Sequence, residues 1–310
     1  MNWKISSIVL LLLLTSCQKK EVVTENKKSK YLITSNEFMK LHGQQNVKII
    51  DFRKDEIYQK GHIPGAVQLW RDDVQNSSFP YVGMMASVTQ IEELFSNMGI
   101  SNQDLLVVYD DRGLCEAARF WWILQNYNFD NVRLLEGGLE GWKAANGAVS
   151  TQTPNLVKSN FSFEGNPQMK YYISKDQVAE AINKNYLLLD TRSIDEFTGI
   201  QHKKGAAKAG RIKNSVHMDW AEAIHYDTDK SIKSIDELEK IYSRLNAKKT
   251  DSIILYCHSG VRSAHTTFVL SQLLGYKNVW NYDGSWTEWS HFEELPYENG
   301  SLTLTTIKNE

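Results

Sequence analysis

Beyond Leu14 no run of the sequence approaches the roughly 18 consecutive apolar residues that a membrane-spanning helix requires. Cysteine is scarce: Cys17, Cys115 and Cys257 are too few and too scattered for a disulfide framework or a Cys-rich zinc site. None of the 8 histidines falls in a His-Glu-x-x-His pattern, which argues against a zinc hydrolase. Neither sign of charge dominates, with 35 Lys+Arg against 37 Asp+Glu and a net charge of -2, so the electrostatic footprint of a nucleic-acid-binding protein is missing. Gly137, Gly138 and Gly141 do not form Gly-x-Gly-x-x-Gly, which disfavours a dinucleotide site; no cofactor is called for. What is present is apolar content of 42% against 23% charged residues, enough for packed cores. At about 150 residues per domain, a chain of 310 residues accommodates two.

The chain repeats itself. Tyr109 to Trp142 and Tyr256 to Trp289 align without a gap at an offset of 147 residues. Each stretch has a turn after a strand, a helical run, an Asn-Val pair, a Gly-containing turn and a Trp. Asp51-Phe52-Arg53 answers Asp190-Thr191-Arg192, and Gly61-His62-Ile63 answers Gly210-Arg211-Ile212, with extra residues in the second half around Thr198 to Ala209. Apolar runs at Val47–Asp51, Leu105–Tyr109, Tyr186–Asp190 and Ile253–Tyr256 read as buried parallel strands. Two copies of one α/β unit account for this pattern.

The N-terminus reads differently. Lys4, the apolar run Ile5–Leu14 and Leu14-Thr15-Ser16-Cys17 form a segment too short to span a bilayer and shaped as a signal peptide. It resembles a bacterial lipoprotein signal, which implies lipid attachment at Cys17 and a protein anchored on the extracytoplasmic side of the membrane. An ordinary secretory signal with an incidental Cys is the alternative. Residues 18–30 read as a flexible tether.

The segment Cys257-His258-Ser259-Gly260-Val261-Arg262 carries the chemistry. It follows a strand and precedes the helical stretch Ser263 to Leu274, where ligands of open parallel sheets bind. A short loop entering a helix can turn its backbone N–H groups inward as an anion nest. A thiol there is favoured as thiolate, its pKa moving from about 8.5 toward roughly 3.5–7.5. Gly260 permits the tight turn, and Arg262 can return a guanidinium to the anion. A Cys nucleophile that must carry negative charge is the expectation.

With the motifs Gly61-His62-Ile63-Pro64-Gly65-Ala66, Glu136-Gly137-Gly138, the Cys257 loop and Tyr282-Asp283-Gly284-Ser285-Trp286, the sequence resembles the tandem-domain members of the rhodanese (sulfurtransferase) family. The resemblance implies an α/β fold of two tandem rhodanese-like domains, each a parallel sheet flanked by helices. The expected division is a signal peptide at 1–17, a tether at 18–30, a catalytically silent domain at 31–150, a linker at 151–170, a catalytic domain at 171–298 and a tail at 299–310. It implies a Cys257 persulfide made from a small anionic sulfur donor, thiosulfate, and discharged to a thiol or cyanide acceptor. His258, Ser259, Gly260, Val261, Arg262 and Ser263 would stabilise the anion, and Arg192 would bind substrate. A structural Arg192 paired to Asp190 or Glu196 is the competing reading. At the nucleophile's position the first half has Asp110, and at the position of Arg262 it has Cys115, expected to be a structural thiol, with resolution of the Cys257 persulfide through a disulfide as the alternative.

Ser259 resembles the loop of 3-mercaptopyruvate enzymes, which keeps that donor as the rival. A related phosphatase is disfavoured, because Cys257 and Arg262 enclose only four residues where phosphatase loops hold one more. A persulfide carrier or docking module at the envelope would share the same loop. His258 is open between tuning and structure, His265 reads as packing and His62 as a turn-holder. The basic run His202, Lys203, Lys204, Lys208, Arg211 reads as a solvated loop, with steering of anions as the alternative. Phe120, Trp121 and Trp122 give one helix apolar surface on more than one face, for burial in the core and against the other domain.

Overall fold

A computed structural model describes residues 29–184 and 186–300. The signal segment, its Cys17 and nearly all of the tail lie outside the described residues. The first domain runs β1 (Leu32–Ile33), α1 (Ser35–Met39), β2 (Val47–Asp51), α2 (Asp55–Tyr58), β3 (Ala66–Gln68), α3 (Val88–Asn97), β4 (Leu105–Tyr109), α4 (Cys115–Asn126), β5 (Val132–Leu135) and α5 (Gly138–Ala144). Its strands form one parallel sheet in the order β1-β5-β4-β2-β3.

The second domain repeats the plan with β6 (Tyr172–Ile173), α6 (Lys175–Ala181), β7 (Leu187–Asp190), α7 (Ile194–Thr198), β8 (Arg211–Ile212), β9 (Val216–His217), α8 (Ile235–Tyr242), β10 (Ser252–Tyr256), α9 (Val261–Phe268), β11 (Asn278–Tyr282), α10 (Ser285–Trp289) and β12 (Tyr297–Glu298). Its parallel sheet has the order β6-β11-β10-β7-β9, and β8 pairs with β12 in a small antiparallel ribbon. The central strands are Val-, Ile- and Leu-rich because helices cover both faces, so alternation of polar and apolar residues is unnecessary. Ser and Thr cap the helix starts as expected: Thr34, Ser87, Ser174 and Ser234 each close a capping box.

The domains meet through α4 and α9. All of α4 is buried, because one side packs on its own sheet and the other on α9, with Trp121 and Phe268 edge to face at 5.0 Å. This is the burial that its all-round apolar surface requires. The connecting segment is bound to the first domain: Phe161 is buried against Phe95, and the Ser159 and Phe161 N–H groups donate to Ser96. The helix after the Cys257 loop starts earlier than the sequence suggested, at Val261, and widens into a π turn over Val269–Leu273.

Candidate active site

β10 delivers Cys257 to the carboxyl end of the second sheet, and α9 begins four residues later. The turn between them is held from several sides. Gly260 adopts φ +75°, and a Cβ there would sit 2.6 Å from the Asp283 carbonyl, so glycine is required. The Gly260 carbonyl accepts from Asn281 Nδ2 at 3.0 Å. The Cys257 N–H donates to Ser285 Oγ at 3.1 Å, and that hydroxyl donates in turn to Tyr282 O at 2.8 Å. Ser285 itself lies at φ +51°, a left-handed conformation unfavourable for a side-chain-bearing residue.

The first domain braces this turn. Arg119 on α4 pairs with Asp283 at 2.5 Å and donates to Gly83 O at 2.8 Å, with all three charged or polar partners buried from solvent by the domain contact. Gly83 lies so close to the loop that a Cβ on it would meet Ser259 Cβ at 2.5 Å. The Met85 N–H donates to Asp283 Oδ2 at 2.9 Å.

Two buried cysteines behave oppositely. Burial pushes the Cys115 thiol well above its ordinary range, and neighbouring Glu116 pushes the same way. Burial also works against ionisation of Cys257, yet Arg262, the Ser263 hydroxyl and the N–H groups of Ser263 and Ser259 outweigh it and lower its pKa. The buried Ser263 hydroxyl makes no hydrogen bond to any other described group. Arg262 is fixed by a bidentate pair with Glu196 on α7, at 2.6 and 2.8 Å. Burial alone would raise the Glu196 carboxyl, but the Arg262 hydrogen bonds hold it at about 2.

The first-domain loop shows what such a turn accommodates. Asp110, the counterpart of Cys257, folds its carboxylate into its own loop. Oδ1 accepts the N–H groups of Arg112 and Leu114, both at 2.9 Å, and Oδ2 accepts those of Glu116 at 2.7 Å and Ala117 at 3.0 Å. Burial still raises its pKa to about 6. Its charge is therefore turned inward on its own loop.

Cys257, His258, Ser259, Val261 and Arg262 line a cavity of about 790 Å³. His258 is structural in its contacts: burial and Lys203 lower its pKa to about 4, so it is neutral, and its Nε2 donates to Lys204 O at 3.1 Å. His265 is buried against Trp220 with Nε2 on Gly113 O, and His62 bridges Tyr58 O and Gln152 O. Of the basic run, Lys203 reaches the cavity, Lys208 donates to Phe292 O and Arg211 pairs with Glu298, so the run is not one solvated face.

Arg192 requires a correction. It is buried away from the cavity, donating to Asp190 through Nε at 2.9 Å and Nη2 at 2.5 Å, and to Gly210 O at 2.8 Å. Arg53 makes the same set with Asp51 and Gly61 in the first domain, which has Asp110 at the position of Cys257. The motif ties a strand end to the following loop in both halves. The cavity instead receives two cations that the sequence did not reveal, Arg71 and Arg112, both from the first domain. Among the described residues no His, Cys, Asp and Glu side chains converge as metal ligands would.

A model of the rhodanese-like domain matches residues 34–145 and again 174–292. A thiosulfate sulfurtransferase of Corynebacterium glutamicum is 30% identical over 275 residues, which cover 86% of this chain and 89% of that protein. Among solved structures, YnjE superposes with a TM-score of 0.75 at 26% identity over 87% of this chain and 68% of its own. A complex of EanB with ergothioneine gives a TM-score of 0.77 at 22% identity over 87% and 70%, a likeness of fold.

Proposed function

The chain belongs to the rhodanese-like family, with two such domains in tandem, and we propose that it carries sulfur from thiosulfate to a thiol or cyanide through a persulfide on Cys257. A sulfurtransferase of the rhodanese type is the class its relatives support. Cys257 thiolate attacks the outer sulfur of thiosulfate, the sulfur–sulfur bond breaks, and its electron pair leaves with sulfite. The persulfide anion then stays in the loop until an acceptor removes its outer sulfur.

The observation that carries this reading is the filled nest of the silent domain. In Asp110 the carboxylate oxygens stand as many bonds from Cα as the outer sulfur of a cysteine persulfide would. Four backbone N–H groups take that anion. At the matching turn, the N–H groups of Ser259 and Ser263 act on Cys257 to favour its thiolate. The same loop thus has donors for an anion one bond longer than a thiolate, the oxyanion-hole principle applied to sulfur. Arg262 and the rim Lys203 suit a doubly charged donor, which favours thiosulfate over 3-mercaptopyruvate. Exposure of the protein to thiosulfate should add about 32 Da, one sulfur, mapping to the Cys257 peptide. Unchanged mass, or sulfur on Cys115 alone, would refute it.

We also propose attachment through a lipid on Cys17, supported by the residues preceding it. Cys17→Ser should move the protein from the membrane pellet to the soluble fraction; retention in the pellet would argue against the anchor.

A further inference from the structure

The cavity is far larger than the reaction at its floor demands. A volume of about 790 Å³ is within the range that holds drug-sized ligands, about 300–1,000 Å³. Thiosulfate has two sulfurs and three oxygens, and the loop, Arg262 and Lys203 already meet its charge. The rest of the cavity is available to the second substrate.

One wall of that space comes from the domain without a nucleophile. Arg71 follows β3, and Arg112 lies in the Asp110 loop, which is distant in sequence; both converge on Glu116 at the start of α4. Arg71 Nε donates to Glu116 Oε2 at 2.7 Å and its Nη2 bonds Oε1, while Arg112 Nη1 donates to Oε1 at 2.9 Å. Glu116 is fully buried, whereas the side chains of Arg71 and Arg112 are 30% and 41% exposed. Among the described residues it is the one carboxylate ion-paired to either, so two cations share a single counter-charge. Arg71 Nη1 and Arg112 Nη2 make no hydrogen bond to the described protein groups. Burial opposes the Arg71 charge and Glu116 more than restores it, and Arg71 lines the same cavity as Cys257.

Resting on the sulfurtransferase reading, we infer that Arg71 and Arg112, held by Glu116, bind the carboxylate of the sulfur-accepting thiol and so make carboxylated small thiols the preferred acceptors. A planar guanidinium presents paired donors that fit a carboxylate. With that end held on the first-domain wall, the acceptor's thiolate reaches the outer sulfur of the Cys257 persulfide. A new sulfur–sulfur bond forms to the acceptor, the old one breaks, and the electron pair returns to Cys257 as thiolate. Two anions enter the step and two leave, without any oxidant. The silent domain thereby selects the acceptor while the second domain performs the transfer.

The test compares 3-mercaptopropionate with 2-mercaptoethanol, thiols that share one stem and differ in a carboxylate against a neutral hydroxyl group. Cys257 is loaded with sulfur from inorganic polysulfide, so the acceptor step is read even where thiosulfate fails as donor. The wild-type chain should favour 3-mercaptopropionate in kcat/KM, and Arg112→Gln should reduce that preference about tenfold through KM, the size of one charge-assisted hydrogen bond. Glu116 keeps Arg71 in this variant, and an unchanged melting temperature verifies the fold; Arg71→Lys should lose less of the preference. Equal use of the two thiols by wild type overturns the proposal, as does a preference that survives in both variants. Slower persulfide formation from thiosulfate or 3-mercaptopyruvate in Arg112→Gln, with the acceptor preference intact, would reassign the pair to the donor. A chain that takes sulfur on Cys257 from neither thiosulfate nor polysulfide refutes the sulfurtransferase reading itself.

Discussion

Cys257→Ser abolishes sulfur transfer and leaves the fold in place. The exchange replaces a buried sulfur by a smaller oxygen in a turn whose shape is fixed by other atoms: Ser285 Oγ on the Cys257 N–H, Asn281 on Gly260 O, and Arg119 with Asp283 beneath it. None of these contacts involves the thiol, so the melting temperature should stay within a few degrees of wild type. The reaction has no such reserve. A serine hydroxyl near neutrality is not ionised and has no stable counterpart of a persulfide, so kcat should fall by at least about 10³-fold, as for loss of a covalent nucleophile. Steady-state release of sulfite from thiosulfate, with intact mass beside it, measures both halves. Activity within tenfold of wild type would remove Cys257 from the chemistry. A collapsed melting transition would instead mean that the thiol holds the loop together.

The duplicated fold was legible because an internal offset of 147 residues survives wherever the sheet and its turns demand particular residues: Tyr109 and Tyr256, Gly113 and Gly260, Trp142 and Trp289. The Cys257 turn at the carboxyl end of β10 was legible for a related reason, since strand, cysteine, glycine and helix follow one another without interruption. Arg192 was misread because an arginine two residues after an aspartate suits either a substrate clamp or an internal brace. Only the position of the Gly210 carbonyl, brought in by the β8 turn, decides for the brace. Arg71 and Arg112 were not legible, because their place on the cavity depends on how one domain docks on the other. The spacing of Arg112 and Glu116, a pair one helical turn apart, was the one local signal. Asp110 was aligned with Cys257 from sequence, but no spacing could reveal that its carboxylate fills the nest.

The contrast between the two buried thiols makes a second large effect predictable. Burial raises both, and the difference at Cys257 comes first from Arg262, then from Ser263 and Ser259. Arg262→Gln removes the largest of these opposing forces, so the Cys257 pKa must rise, toward the behaviour of Cys115. The acid limb of the pH profile of kcat/KM for thiosulfate, which reports thiolate formation in the free enzyme, should move upward, with a loss of about tenfold near neutrality, the worth of one charge-assisted interaction. Part of that loss should return in alkaline buffer, where the remaining N–H donors hold the thiolate without the guanidinium. The substitution also strands Glu196, whose pairing sets a separate pH dependence. A carboxyl held at about 2 against an ordinary 4.5 stabilises the fold fully above 4.5 and loses that contribution as the pH falls through about 2. In Arg262→Gln this acid-labile share is already gone, so wild type and variant should converge in melting temperature as the pH approaches 2 and diverge above 4.5. Arg262→Lys restores charge but not the bidentate fork, and should recover more of the pH profile than of the stability. An acid limb that stays in place in Arg262→Gln would show that the backbone N–H groups alone ionise Cys257, leaving Arg262 a partner of Glu196 and nothing more.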